Sequence, residues 1–464
     1  MKKFNAVPPS PEVTNYLINE YNQKGKPLGF TFRQFLVARG YQNPAHNIHG
    51  MDDSSVGVAH NGEVNMISTP HTPVVGDLQV MVLLVDFPDL QGYLPKDHYE
   101  DLLFSYNSYP TGSMADYYYE VSRGKVRVHG EVHGWLRMPQ NYSYYTNGNS
   151  GLTDMLNRDY YPRDARGLAE DAVKEALAQG IDFSSQLDVL GNGTITSLFI
   201  VHAGRGAEKL FPPLRGQHIW SHKWDMKKPQ MVSNELFAKT YLMVPQEALL
   251  GVCAHELGHL AFQWEDFYDP NEGRDGDHWD GNGMWDLMAS GSYAGREMRP
   301  VHPAGIHKLQ HGWVDVEEIH ETRTGIVLAP ITRSGGKVLK ITGPGYENDQ
   351  YLILENRSKE VFDSELPGEG LLVWRIDESE GMEGSARPGM LLIQADGKND
   401  LLDPNDRNAG DSGDPFPGTR NVTQLSDTGS ISTSFPDKPS GITLKNITYH
   451  PDTKNIEFDV TIDS

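Results

Sequence analysis

Apolar runs and polar breaks alternate along the chain, and their spacing predicts its elements. Leu78-Gln-Val-Met-Val-Leu-Leu-Val85 is a near-continuous apolar run closed by Asp86-Phe-Pro-Asp89. That pattern predicts a buried strand and a turn. Residues 113–121 predict a short amphipathic helix, and residues 125–132 alternate as a strand. Over residues 163–179, Ala165, Leu168, Ala169, Ala172, Val173, Ala176 and Leu177 share one helical face, with Gly180 at the C′ position. Residues 195–202 predict another buried strand. Residues 245–261 predict a helix with Pro245 at its start, where a missing N–H is harmless.

The two ends read differently. Residues 1–75 are mixed and polar, with Pro8, Pro9, Pro11, Pro44, Pro70 and Pro73 and one helix predicted over 11–22. This is an N-terminal extension, either a prosegment-like arm or a plain structural one. Beyond Trp313, short β-rich runs at 326–328, 337–342, 350–355, 370–376, 390–394, 441–449 and 454–462 are separated by Gly, Pro, Asn and Asp. That is the pattern of an all-β sandwich. The expected division is 1–75, 76–320 and 321–464. The expected fold class is α+β, a mixed sheet with helices followed by a sandwich-like C-terminal domain.

Composition narrows the function. The chain has 464 residues, 38% of them hydrophobic, enough for a sizeable core. Lys plus Arg number 40 against 63 Asp plus Glu, a formal charge of −23. This argues against nucleic acid or an anionic membrane as the main partner, and it suits bound divalent cations. No apolar run is long enough to span a membrane. The single cysteine, Cys253, excludes an intramolecular disulfide. Residues 1–9 carry two lysines without an apolar stretch behind them, which is not a signal peptide as written.

The chemistry concentrates in His255-Glu-Leu-Gly-His259. On a helix, positions i and i+4 face the same way, so both imidazoles can reach one zinc ion with Glu256 beside them. The alternative is a helix with two hydrogen-bonded histidines. A catalytic zinc needs a third protein ligand and an open position. Glu265 and Asp266 both follow closely enough to supply it. The acids Asp266, Asp269, Asp275, Asp277 and Asp280 also make a structural calcium ion credible, without matching the twelve-residue calcium loop.

With these residues the chain resembles the immune inhibitor A-like zinc metallopeptidases, which carry His-Glu-x-Gly-His followed by Asp-x-Tyr-Asp. Matching Asp266-Phe-Tyr-Asp269 to the second element makes Asp266 the third ligand. A strict count from His259 chooses Glu265, because Phe262 stands where many members have glycine and one extra residue follows. Gly283-Met-Trp-Asp-Leu-Met-Ala-Ser-Gly-Ser292 resembles the family's Met-turn, with Met288 beneath the metal. Further similar segments include Val82–Asp89, Leu198–Gly204, Ile219–His222, Glu355–Arg357, Leu366–Leu372 and Gly410–Pro415, so the resemblance covers about residues 78–420. It implies a metzincin-like domain, a protein or peptide substrate, and an extracellular bacterial enzyme made with a prosegment.

The expected reaction is hydrolysis of a peptide bond by a zinc-activated water, with Glu256 as general base. Tyr293, just past Met288, is a candidate donor to the developing oxyanion or else a wall residue. His202 and His222 are expected in the core, and Cys253 as packing rather than a zinc block. Trp264, Trp279 and Trp285 could line a cleft or fill the core. Two other functions compete: a non-peptidase zinc hydrolase, and a zinc- and calcium-stabilised adhesion or glycan-binding protein.

Overall fold

The computed structural model describes residues 5–30, 32–39, 73–152, 159–211, 214–269, 279–382, 387–403, 408–429, 431–436 and 438–463. Asp275, Asp277 and the polar stretch 40–72 lie outside them.

A six-stranded sheet carries the first half. Its strands are β1 (Asn5–Ala6), β2 (Gly76–Asp86), β3 (Val126–Arg137), β4 (Leu198–His202), β5 (His222–Ser233) and β6 (Leu236–Pro245), in the order β1-β5-β6-β4-β2-β3. β3, β2, β4 and β6 run parallel, and β5 and β1 are antiparallel to their neighbours. The apolar run at 78–85 is continuous because the interior of β2 is covered on both faces, as parallel strands usually are.

The helices are α1 (Pro11–Glu20), α2 (Phe32–Ala38), α3 (Lys96–Phe104), α4 (Met114–Val121), α5 (Tyr142–Thr146), α6 (Ala165–Ala178), α7 (Leu250–Ala261) and α8 (Gly305–Gln310). Local chemistry fixes their starts. Ser113 and Asp116 form a reciprocal capping box on α4. The Asp164 carboxylate accepts from the Gly167 amide at the start of α6. The apolar face expected on α6 is buried except for Leu177.

One expectation fails in this half. The helix starts at Leu250, not at Pro245, because residues 242–245 continue β6, where Pro245 pairs with His202 at the strand's end. The β5–β6 hairpin carries no clear period-2 signal in the sequence. Lys227, Lys228 and Pro229 break its alternation, and the ladder shifts register between Asp225 and Gln230 to pass them.

The second half has two sheets. One is ordered β12-β11-β10-β9-β7 and the other β13-β14-β8. Their strands are β7 (Asp315–Ile319), β8 (Arg323–Leu328), β9 (Lys337–Ile341), β10 (Gln350–Arg357), β11 (Gly370–Asp377), β12 (Met390–Leu392), β13 (Ile442–His450) and β14 (Asn455–Ile462). Leu352, Leu354, Leu371 and Val373 share a core with Leu444, Ile456 and Phe458 of the three-stranded sheet. Tyr351, Ile353, Leu372 and Trp374, on the alternate positions, join the core of the first half. The five-stranded sheet is therefore a middle layer. β7, ahead of the expected boundary near 320, pairs in parallel with β9 in this sheet.

Candidate metal centre and active site

Helix α7 is buried over its whole length and carries both histidines on one face. Each ring is oriented by its far nitrogen. His255 Nδ1 lies 2.9 Å from the Leu287 carbonyl, and His259 Nδ1 lies 2.6 Å from the Trp264 carbonyl. A carbonyl oxygen only accepts, so both Nδ1 atoms carry the proton and both Nε2 atoms present lone pairs. Those two Nε2 atoms are 3.0 Å apart. Asp266 Oδ1 lies 3.3 Å from one and 3.1 Å from the other. The three residues are buried, and neither Asp266 oxygen has another partner.

Three electron-pair donors with no proton between them repel one another unless a cation sits at their centre. A tetrahedral ion with ligands at about 2.0–2.1 Å would set them about 3.3 Å apart. Two imidazoles and one carboxylate fit zinc with one position open. Burial pushes the His259 ring toward its neutral, ligating form.

Asp266, not Glu265, stands beside the two rings. The segment that carries it is pinned on both sides. Trp264 is fixed by His259, and the Phe267 amide donates to the Met288 carbonyl at 2.8 Å. Glu265 instead lines a cavity of about 380 Å³ beside Lys223 and Asp225.

The segment 283–293 packs beneath α7 against two glycines. A Cβ on Gly258 would meet Met288 Sδ at 2.9 Å, and one on Gly251 would meet the Ser292 carbonyl oxygen at 1.7 Å. Asp286 shapes this turn. Its carboxylate accepts from the amides of Met288 and Ala304, each at 3.1 Å, from Asn282 Nδ2 at 2.8 Å and from His307 Nε2 at 3.0 Å. Burial works against the Asp286 charge, yet the His307 ring and these donors hold it at about 2.

Glu256 is fully buried next to the ligands. Burial first, then the nearby Asp266 charge, pushes its carboxyl well above the usual range. Its Oε1 accepts from the Val7 amide at 3.0 Å, while Oε2 has no partner. Val7 belongs to an N-terminal strap. β1 extends the sheet past β5, with Asn5 opposite Lys223 and Ala6 opposite His222. The Val7 amide also reaches the Ser221 carbonyl at 3.3 Å. Side chains from the body hold the strap's carbonyls. Tyr268 Oη donates to Ala6, Trp220 Nε1 donates to Val7 at 2.9 Å, and Tyr293 Oη donates to Pro8.

Several expected residues settle elsewhere. Tyr293 faces the site but binds the carbonyl of Pro8, not that of the peptide touching Glu256. His202 and His222 are buried and bonded to the carbonyls of Ala203 and Trp220. Cys253 is buried, and burial pushes its thiol up. Trp264, Trp279 and Trp285 are buried; Trp264 lines the cavity of about 380 Å³ with Glu265, and Trp279 lines one of about 140 Å³ under Pro8 and Pro9. A second acidic group, Asp396, Asp400 and Asp411, surrounds Lys398 Nζ at 2.9, 3.5 and 2.7 Å, so a lysine ammonium supplies its positive charge. The sequence reading missed Trp220 and Tyr268 as site residues. Both stand in the segments similar to the family, Ile219–His222 and Asp266–Asp269, which do not by themselves single them out.

Residues 72–317 match the model of the family described as immune inhibitor A peptidase M6, catalytic domain. "Pre-pro-metalloprotease PrtV" of Vibrio cholerae serotype O1 is 31% identical over 267 residues, covering 47% of this chain and 28% of that protein. "Immune inhibitor A" of Bacillus thuringiensis subsp. alesti is 30% identical over 342 residues, covering 61% of this chain and 48% of that protein. The chain thus spans about half the length of the second relative and less of the first.

Proposed function

The chain belongs to the immune inhibitor A peptidase family, and from that premise we propose that it is a zinc-dependent endopeptidase whose metal is held by His255, His259 and Asp266. The supporting observation is the set of three buried lone-pair donors within 3.0–3.3 Å of one another. Zinc, when bound, supplies Lewis acidity to a water molecule and to the scissile carbonyl.

The chain's own groups do the rest. Glu256 takes one proton from the attacking water and passes it to the leaving nitrogen. The water oxygen bonds to the carbonyl carbon, the C–N bond breaks, and a carboxylic acid and an amine form, the acid giving up its remaining proton to the amine. His255 and His259 are kept in the ligating tautomer by the carbonyls of Leu287 and Trp264. Asp286 holds the Met288 turn against the underside of α7.

We extend the reading to the chain's organisation. Residues 1–75 act as a prosegment-like arm, of which residues 5–8 cross the cleft, 76–320 as a metzincin-like catalytic domain and 321–464 as a sandwich-like companion. The contact of Val7 with Glu256 supports the first assignment. So does the name of the Vibrio relative, which describes a pre-pro form. The place of action is outside the cell. No helix among the described residues is long and apolar enough to cross a membrane. A cleft filled by extended polypeptide favours a protein or peptide substrate over the smaller substrate of a non-peptidase hydrolase.

Glu256→Gln tests the assignment. Chelator-sensitive cleavage of casein should fall by about 10²–10⁴-fold, with zinc content and fold retained. A variant that still cleaves at the parent rate would overturn Glu256 as the base.

A further inference from the structure

A cavity of about 380 Å³ opens beside the metal centre, and the ligand His259 is part of its wall. α7 and the turn after it form one side, with Leu260, Trp264 and Glu265. β5 and β6 form another, with Lys223, Asp225 and Thr240. Lys223 and Asp225 are two positions apart on β5, so their side chains leave the same face of the strand, and Thr240 stands opposite Asp225 on β6.

The charges of these walls are unbalanced. Two carboxylates, Asp225 and Glu265, line the cavity with one ammonium, Lys223. Glu265 and Lys223 are buried, and Asp225 is half-buried. The Asp225 carboxylate forms no hydrogen bond or ion pair with another described residue. A carboxylate partly withdrawn from water without a partner is unfavourable. We infer that this cavity binds a Lys or Arg side chain of the substrate, with Asp225 as the residue that selects it. This rests on the peptidase reading above and deepens it.

Such a side chain matches both kinds of wall. Its methylene stem is apolar and packs along Leu260 and Trp264. Its cationic head reaches Asp225, and Glu265 offsets the charge of Lys223, so the head meets a wall of net negative charge. An acidic head would meet two carboxylates there. An apolar one would withdraw Asp225 further from water and still leave it without a partner.

His259 fixes where this side chain sits along the substrate. Its imidazole lines the cavity and belongs to the metal centre as well, so the two places are neighbours. An extended peptide advances about 3.3 Å per residue. The basic residue therefore lies within about two positions of the bond that is cut, and always on the same side of it.

The test uses the full-length Val7→Pro chain, which has lost the amide bonded to Glu256, loaded with zinc. Its substrates are alanine-based peptides that carry a single Arg, Leu or Glu. Cuts in the Arg peptide, located by mass spectrometry, should fall at one fixed distance from the Arg. Its kcat/KM should exceed that of the Leu peptide by about 10–100-fold. Adding Asp225→Asn should bring the ratio of the two close to one, and Asp225→Glu should restore most of it. Binding gives a readout that needs no turnover: in a Glu256→Gln background, Asp225→Asn should weaken binding of the Arg peptide by about tenfold or more. Zinc content and melting temperatures near the parent's establish that each variant is folded. A Leu or Glu peptide cut as fast as the Arg peptide, or a preference for Arg that survives Asp225→Asn, overturns this inference alone. No chelator-sensitive cleavage of casein or of any peptide overturns the peptidase reading, and this inference with it.

Discussion

The amide of Val7 donates to Glu256 Oε1 at 3.0 Å, across 249 positions of sequence. The group placed to act as base is therefore engaged by the chain's own N-terminal segment.

Removing that amide should uncover the site. Val7→Pro keeps a similar apolar bulk but deletes the donor to both Glu256 and Ser221. At about 1 kcal/mol for each bond, initial rates of casein cleavage should rise by roughly tenfold or more. Equal rates in the parent and variant would mean that the strap does not limit access.

The two glycines of α7 should differ in tolerance. At Gly258 an added methyl meets a thioether that can move, whereas at Gly251 it meets a backbone carbonyl that cannot. Gly258→Ala should cost about 1–2 kcal/mol and weaken zinc binding, since Met288 must shift. Gly251→Ala should cost more than about 3 kcal/mol or leave little soluble protein. Urea unfolding and a zinc titration measure both, and equal effects would contradict the packing described.

Asp286 gives the acid limb a definite sign. Its carboxyl sits at about 2 in the folded chain against 3.8 ordinarily. The unfolded state thus binds the proton first as pH falls. The stabilisation is complete above about pH 4 and is lost as pH drops toward 2, on the order of 2 kcal/mol. Asp286→Asn should cost about 3 kcal/mol at pH 7 by breaking the buried pair with His307. It should also make unfolding less steep in pH between 4 and 2. A variant with the parent's pH dependence would assign the acid sensitivity to other groups.

Zinc bound only to the folded state should stabilise it by mass action, by about 4 kcal/mol at 1,000 times the dissociation constant. The melting temperature should rise with added zinc in the parent and not in His259→Ala. A zinc-dependent shift that survives His259→Ala would place the metal elsewhere.

Much of this was legible in the sequence because the signals were local. The continuous run at 78–85 reads as a buried strand, and the His-Glu-x-x-His spacing sets both rings on one face of α7. The choice between Glu265 and Asp266 was not local. It depends on the Phe267–Met288 and His259–Trp264 bonds, which tie loops far apart in the fold. The β5–β6 hairpin was hidden by Lys227, Lys228 and Pro229, which sit where the ladder itself is irregular. From its place after Met288, Tyr293 could be either an oxyanion donor or a wall residue. Only the path of the strap shows that Tyr268 reaches the carbonyl paired with Glu256, while Tyr293 reaches one further along.

The most direct test of the central claim joins elemental analysis to cleavage of quenched casein by the Val7→Pro chain, with and without 1,10-phenanthroline. The expected result is about one zinc per chain and cleavage that stops with the chelator and returns with added zinc. A chain that takes up no zinc after reconstitution, or cleaves equally well with the chelator present, would contradict the assignment of His255, His259 and Asp266 as a catalytic metal centre.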